Sequence, residues 1–91
     1  MAKTYIFHTD PGHGWLAVPF KELVDLGIQN DISGFSYVKG KTAYLEEDCD
    51  AAVFINAYKA KFGEMFKYRT SYQDKTQIRY FDGYNSNKIA A

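Results

Sequence analysis

Two imidazoles and a carboxylate fall within six residues, His8, Asp10 and His13, in the run His8-Thr9-Asp10-Pro11-Gly12-His13-Gly14-Trp15. Imidazole nitrogens and a carboxylate suit a divalent metal or proton transfer, and a turn can bring groups at this spacing together. The spacing matches no established ligand set, however, and a turn aspartate has a simpler use: its carboxylate accepts hydrogen bonds from backbone N–H groups just beyond it. Pro11 and Gly12 fit the second and third positions of a type II turn, in which glycine takes the positive φ. Asp10, Gly12, His13 and Trp15 therefore form a candidate ligand loop, and His8, Asp10 and His13 are the candidate metal ligands.

Four carboxylates in five positions, Glu46, Glu47, Asp48 and Asp50, make a second corner. An EF-hand is excluded, since the alternating acidic positions, central glycine and terminal glutamate are missing. Asp48 is the expected N-cap of a helix and Asp50 suits its positive end. That leaves more negative charge than capping requires, which fits a contact with a basic partner. Beside these carboxylates, Cys49 sits where a helix N-terminus lowers a thiol pKa and acidic neighbours raise it, so a small buried helix residue is expected rather than a nucleophile. A third group, Tyr68, Arg69, Tyr72 and Arg79, interleaves arginine with tyrosine as interfaces do; the same residues also read as an ordinary edge strand. A phosphate clamp is the further alternative for them, without a Walker or Rossmann glycine pattern to support a nucleotide site.

The elements that must position these groups can be read from periodicity. Residues 4–8 and 15–18 alternate as strands, and Pro19 opens a short helix that Gly27 and Ile28 close. Residues 34–38 and 41–45 read as a hairpin closed by Lys39 and Gly40, pairing Phe35 with Tyr44 and Tyr37 with Thr42. Ala51, Phe54, Ile55, Tyr58 and Phe62 make one apolar stripe along a helix over 49–62, ended by Gly63. Residues 66–72 alternate again. The expectation is a single α+β domain over 1–91, of order ββαββαβ, with two helices on a mostly antiparallel sheet of about five strands. Ile78 and Phe81 anchor an irregular segment, and a frayed tail is expected over about 84–91.

With 91 residues, the chain is near the lower end of what buries a self-sufficient core, so self-association is allowed for. Seven Phe, eight Tyr and one Trp compensate, each able to bury on the order of 150–250 Å². Eight tyrosines exceed what so small a core hides, so several are expected at the surface. Eleven basic and eleven acidic residues cancel, which removes the footprint of a nucleic-acid binder. The cancellation hides a split: residues 1–55 hold four Lys against eight Asp and Glu, and residues 56–91 hold seven Lys and Arg against three. One cysteine allows no internal disulfide, and no apolar run is long enough for a signal peptide or a span, so a cytoplasmic, non-membrane protein is expected.

The His8 to Trp15 turn, Tyr5, Ser36-Tyr37, the run Tyr44-Leu45-Glu46-Glu47-Asp48-Cys49-Asp50 and Ile78-Arg79 resemble a family of small uncharacterised proteins from tailed bacteriophages, prophages and plasmids. The resemblance extends over nearly the whole chain. It implies a mobile-element accessory protein in the bacterial host cytoplasm, a class whose small members often bind and inhibit a host protein. The combined expectation is a non-enzymatic protein that binds a host or phage macromolecule, a protein above all, without a cofactor. The surface expected to do so comprises Glu46, Glu47, Asp48, Asp50, Tyr68, Arg69, Tyr72 and Arg79. A small divalent-metal-dependent enzyme or metal-binding protein using His8, Asp10 and His13 is the first alternative, and a small-nucleotide or signalling-molecule binder the second.

Overall fold

A computed structural model describes residues 3–88. Among the described residues six strands form one sheet in the order β5-β1-β2-β4-β3-β6. They are β1 (Thr4–Thr9), β2 (Gly14–Pro19), β3 (Tyr37–Lys39), β4 (Thr42–Glu46), β5 (Lys67–Tyr72) and β6 (Asp82–Gly83), with helices α1 (Phe20–Asp25) after β2 and α2 (Asp50–Phe62) after β4. All pairings are antiparallel except that of β1 with β5, which is parallel. The α+β class and the ββαββαβ order hold through β5. A sixth strand, only two residues long, extends the sheet beyond the five expected.

Alternation sorts the strand residues onto two faces. Tyr5, Leu16, Val18, Ala43 and Leu45 share one face with Phe20 and Leu23 of α1 and Ala51 and Phe54 of α2, forming the main core. Its centre is aromatic: Phe54 lies 5.4 Å from Tyr5 and 5.4 Å from Phe66, ring centre to ring centre, and Tyr5 lies 4.8 Å from Phe66. The opposite face carries His8, Trp15, Tyr37, Tyr44 and Glu46, as the registers His8 with Trp15, Trp15 with Glu46 and Tyr37 with Tyr44 require.

Helix ends follow local chemistry. At Gly27, φ is +72°, its N–H donates to Val24 O, and the Ile28 N–H reaches back to Leu23 O, both at 2.9 Å, which is a Schellman close. Gly63, at φ +77°, ends α2. Pro19 is the residue before α1 rather than its first. At the entrance of α2, Cys49 and not Asp48 occupies the N-cap, and no side chain among the described residues caps it. Asp48 instead gives its N–H to Glu46 Oε2 at 3.1 Å.

Three local expectations are corrected. Gly12 does not take a positive φ, so the first turn is not type II; two hydrogen bonds to Asp10 shape it instead. The hairpin turns on Gly40 and Lys41, with Gly40 at φ +61°, so Tyr37 pairs with Tyr44 and Lys39 with Thr42. A glycine-first turn matches the strand twist better, and moving the turn by one residue shifts the register by two while keeping every side chain on its face. The frayed tail is the third: Tyr84 is buried and donates its hydroxyl to Gln29 O at 2.5 Å, and a 3-10 turn spans Ser86–Lys88. The last three residues of that expected tail lie outside the described residues.

Phe54 is fully buried at the centre of the ring cluster. Phe54→Ala is expected to cost about 3–5 kcal/mol, read as a lower urea midpoint. A loss below about 1 kcal/mol would mean that the core is not built around this ring.

Candidate functional site

Between β5 at one edge of the sheet and β6 at the other, residues 73–81 cross the face that the helices leave open. Ile78 and Thr76 are buried there, apart from the main core. Phe81 packs on Tyr44 at 5.2 Å, and the Arg79 guanidinium lies 5.8 Å from the Trp15 ring centre.

Asp10 holds this strap. Its Oδ1 accepts the N–H groups of Gly12 and His13, each at 3.0 Å, and the Arg79 guanidinium at 2.7 Å. Its Oδ2 accepts the Thr76 hydroxyl at 3.2 Å. Burial alone raises a carboxyl pKa; here the donors outweigh it and bring Asp10 down to about 2. The first turn therefore spends its carboxylate on the chain itself.

A second buried carboxylate holds the other wall. Asp50, 1% exposed, accepts the Ser33 N–H at 3.1 Å, the Ser33 hydroxyl at 2.7 Å and the Ser36 hydroxyl. Ser36 Oγ in turn accepts the Glu46 N–H at 2.9 Å, and Ser33 Oγ accepts the Phe35 N–H at 3.2 Å. Burial, with the Asp50 charge nearby, pushes the Tyr84 phenol up to about 12. Asp50 thus braces the loop that presents Phe35 and the strand end that presents Glu46. Its expected place on a partner-binding surface is corrected, because the serines draw it inward.

Between these braces lies a cleft of about 360 Å³ lined by His13, Trp15, Phe35, Tyr37, Glu46, Asp48 and Arg79. It joins the first turn, the acidic corner and Arg79, which the sequence presented as three separate sites. Phe35 is its outer wall, 77% exposed. Trp15 is nearly fully buried, and its indole N–H has no acceptor among the described residues. Tyr37 packs edge-on against Trp15 at 6.4 Å, and the His13 ring lies 5.8 Å from it. The sequence reading missed Phe35 and Tyr37 as site residues; their only signal was a large ring beside Gly34 at the mouth of a hairpin.

Other candidates fall elsewhere. Glu47, one residue past Glu46, turns to the helix face and lines a separate apolar cavity with Phe7, Leu16, Ala51 and Tyr68. Tyr68, Arg69 and Tyr72 belong to β5 at the sheet edge, outside the cleft. His8 packs against Tyr44 at 5.8 Å, and burial with the Arg69 charge lowers its pKa. His8, Asp10 and His13 do not assemble into a metal site, and no group of three or more His, Cys, Asp or Glu is placed to hold a metal ion among the described residues. Cys49 is exposed rather than buried, and the Asp50 charge, followed by burial, raises its pKa away from the range of a reactive thiol. A larger cleft of about 540 Å³ lies between α1 and the C-terminal end of α2. Its inner polar groups already satisfy one another, since Lys3 pairs with Glu22 and Tyr5 donates to Glu22 at 2.5 Å.

No helix among the described residues is long and apolar enough to cross a membrane. Comparison with protein-family models, curated proteins and solved structures finds nothing that matches this chain.

Asp10→Asn removes the charge that gathers two backbone amides, a threonine and an arginine. The expected outcome is a lower melting temperature together with faster hydrogen exchange over residues 73–81. The native protein should itself lose this contribution in acid. The folded pKa of about 2 lies below the ordinary 3.8, so the stabilisation is complete above about pH 4 and disappears as pH falls toward 2. A pH-independent melting temperature across that window, or unchanged exchange in the variant, would refute the role given to Asp10.

Proposed function

We propose that this chain is a non-enzymatic binding module whose cleft receives a basic side chain displayed by a partner protein. One observation carries the reading: Glu46 and Asp48 share a 360 Å³ cleft with the rings of Phe35, Tyr37 and Trp15. Carboxylates with aromatic faces are the chemistry that recognises an ammonium or guanidinium group, through charge and through the ring quadrupole together. The cation already in the wall, Arg79, is neutralised by Asp10 and stacks on Trp15, so it adds a surface without cancelling the acidic wall. A phosphate-bearing ligand would instead meet two carboxylates, which argues against the nucleotide alternative. The resemblance to small phage and plasmid proteins supplies the context of the reading: an accessory protein acting on a host or phage protein in the bacterial cytoplasm.

Phe35 makes no core contact that its exposure would allow to matter, and Asp48 is exposed as well. Phe35→Ala and Asp48→Lys should each change folding stability by less than about 0.5 kcal/mol. Trp15, the one tryptophan, reports the cleft by fluorescence. Titration with a tri-arginine amide should shift its emission, while a tri-glutamate control should not. Each variant should weaken that response by about 1 kcal/mol, roughly fivefold in Kd. Immobilised native protein should then retain from bacterial lysate a protein that both variants lose. No Trp15 response to the basic peptide at millimolar concentration, or equal responses from the variants, would overturn the proposal.

A further inference from the structure

Among the described residues β5 (Lys67–Tyr72) is paired on one side only, and five of its six residues are exposed. The Gln73 N–H donates to Thr9 O at 3.0 Å, and Tyr72 lies in register with Thr9. Alternate residues of a strand direct their N–H and C=O groups to opposite neighbours, so residues 67, 69, 71 and 73 bond toward β1. The amides and carbonyls of Tyr68, Thr70 and Tyr72 therefore point outward, away from β1 and without a partner strand among the described residues. Tyr68 and Tyr72 are 54% and 59% exposed on the helix face of this edge, and Met65, also exposed, lines one cavity with Tyr68.

We propose that this edge pairs antiparallel with the same edge of a second copy, about a two-fold axis through Thr70. That register sets Thr70 against Thr70 of the second copy and Tyr68 against Tyr72 of the second copy, twice. All three outward-facing residues then meet outward-facing residues, in the arrangement where opposite residues exchange both N–H···O bonds. The two sheets join with their helices on the same side, as an isologous contact requires. Two cross-strand tyrosine pairs and a central threonine pair fall on one face, combinations that stabilise antiparallel strands. On the other face Arg69 meets Ser71 and Lys67 meets Gln73. Moving the register by two residues in one direction sets Arg69 directly against Arg69, and in the other direction leaves Tyr68 paired beyond the end of the strand. Charge in one direction and strand length in the other thus select one register, and the sequence from Lys67 to Gln73 is complementary to itself in it. An unrelated strand would have no reason to match it.

The test is sedimentation of the full chain across micromolar to millimolar concentrations, beside Thr70→Pro. Proline at 70 removes an outward N–H and no bond to β1, so the fold is retained and dimerisation alone should weaken, by at least about tenfold. Thr70→Lys, which places like charges on the two-fold axis, is the second variant should the proline perturb folding by circular dichroism. The native mass should move from 10.4 kDa toward twice that value, and both variants should stay near the lower one. Register is read by cross-linking in a Cys49→Ser background. Thr70→Cys should form a disulfide-linked dimer, since opposed residues of this kind lie about 5.5 Å apart at Cα, within disulfide range. Ser71→Cys should not. A chain that stays monomeric throughout, a dimer that Thr70→Pro and Thr70→Lys leave intact, or cross-linking at 71 in place of 70 would each overturn the proposal. A monomer that binds a strand of another protein at this edge would likewise refute it.

Discussion

A carboxylate removed from water must be given donors, and the Asp10 carboxylate is given them from both ends of the chain. Its Oδ1 gathers Gly12 and His13 from its own turn and Arg79 from sixty-nine residues later. That one group therefore decides how the segment after β5 lies. With Asp10 satisfied, Arg79 is delivered onto Trp15, Ile78 and Thr76 are carried inward, and Phe81 lands on Tyr44. Without it, the face opposite the helices would expose Trp15, Tyr37, Tyr44 and His8 to water. A 91-residue domain has few layers with which to cover both faces of a sheet. Here a strap of residues with one ion pair beneath it stands in for the missing layer.

Asp50 does on the other side of the cleft what Asp10 does on the first. Its donors are neutral serine groups rather than an arginine, and they link the connection after α1 to the start of α2 and the end of β4. A network of this kind fixes positions because every member is used: Ser36 Oγ donates to Asp50 and accepts from Glu46, while its carbonyl accepts the Tyr84 N–H at 2.8 Å. Satisfied buried polar networks specify a unique arrangement in a way that apolar packing alone does not. The cleft is accordingly walled by residues whose backbones are fixed, and its outermost side chain, Phe35, is left free. That division of labour suits a binding site, since ordering costs are met before a partner arrives.

Much of the fold was legible because periodicity and glycine placement are local signals. The alternation in β1, β2 and β4, the stripe of α2 and the Schellman close at Gly27 all follow from residues within a few positions of one another. What was not legible depended on partners distant in sequence. Asp10 was correctly read as bracing its turn, but nothing nearby announces Thr76 and Arg79 as its other partners. Asp50 looked like a helix-entrance charge because Ser33 and Ser36, which bury it, lie in a connection that carries no motif. Glu46 and Glu47 looked equivalent in an acidic run, yet a strand puts consecutive residues on opposite faces, and β4 still holds Glu46. Applying that alternation through the end of the strand would have separated them from sequence alone.

The same alternation explains why the charge split of the sequence, acidic first and basic later, does not become an acidic half and a basic half of the molecule. The strand order brings the last segment across the sheet, so that Arg79 from the basic portion sits among Glu46 and Asp48 from the acidic one. The basic residues that remain together are those of β5, on an edge, where cations discourage indiscriminate strand pairing. Charge here is distributed by topology: one cation is neutralised by Asp10 in the wall of the cleft, and others lie along the edge strand β5. The first placement requires that the chain return across its own sheet, and that return is what the buried Asp10 enforces.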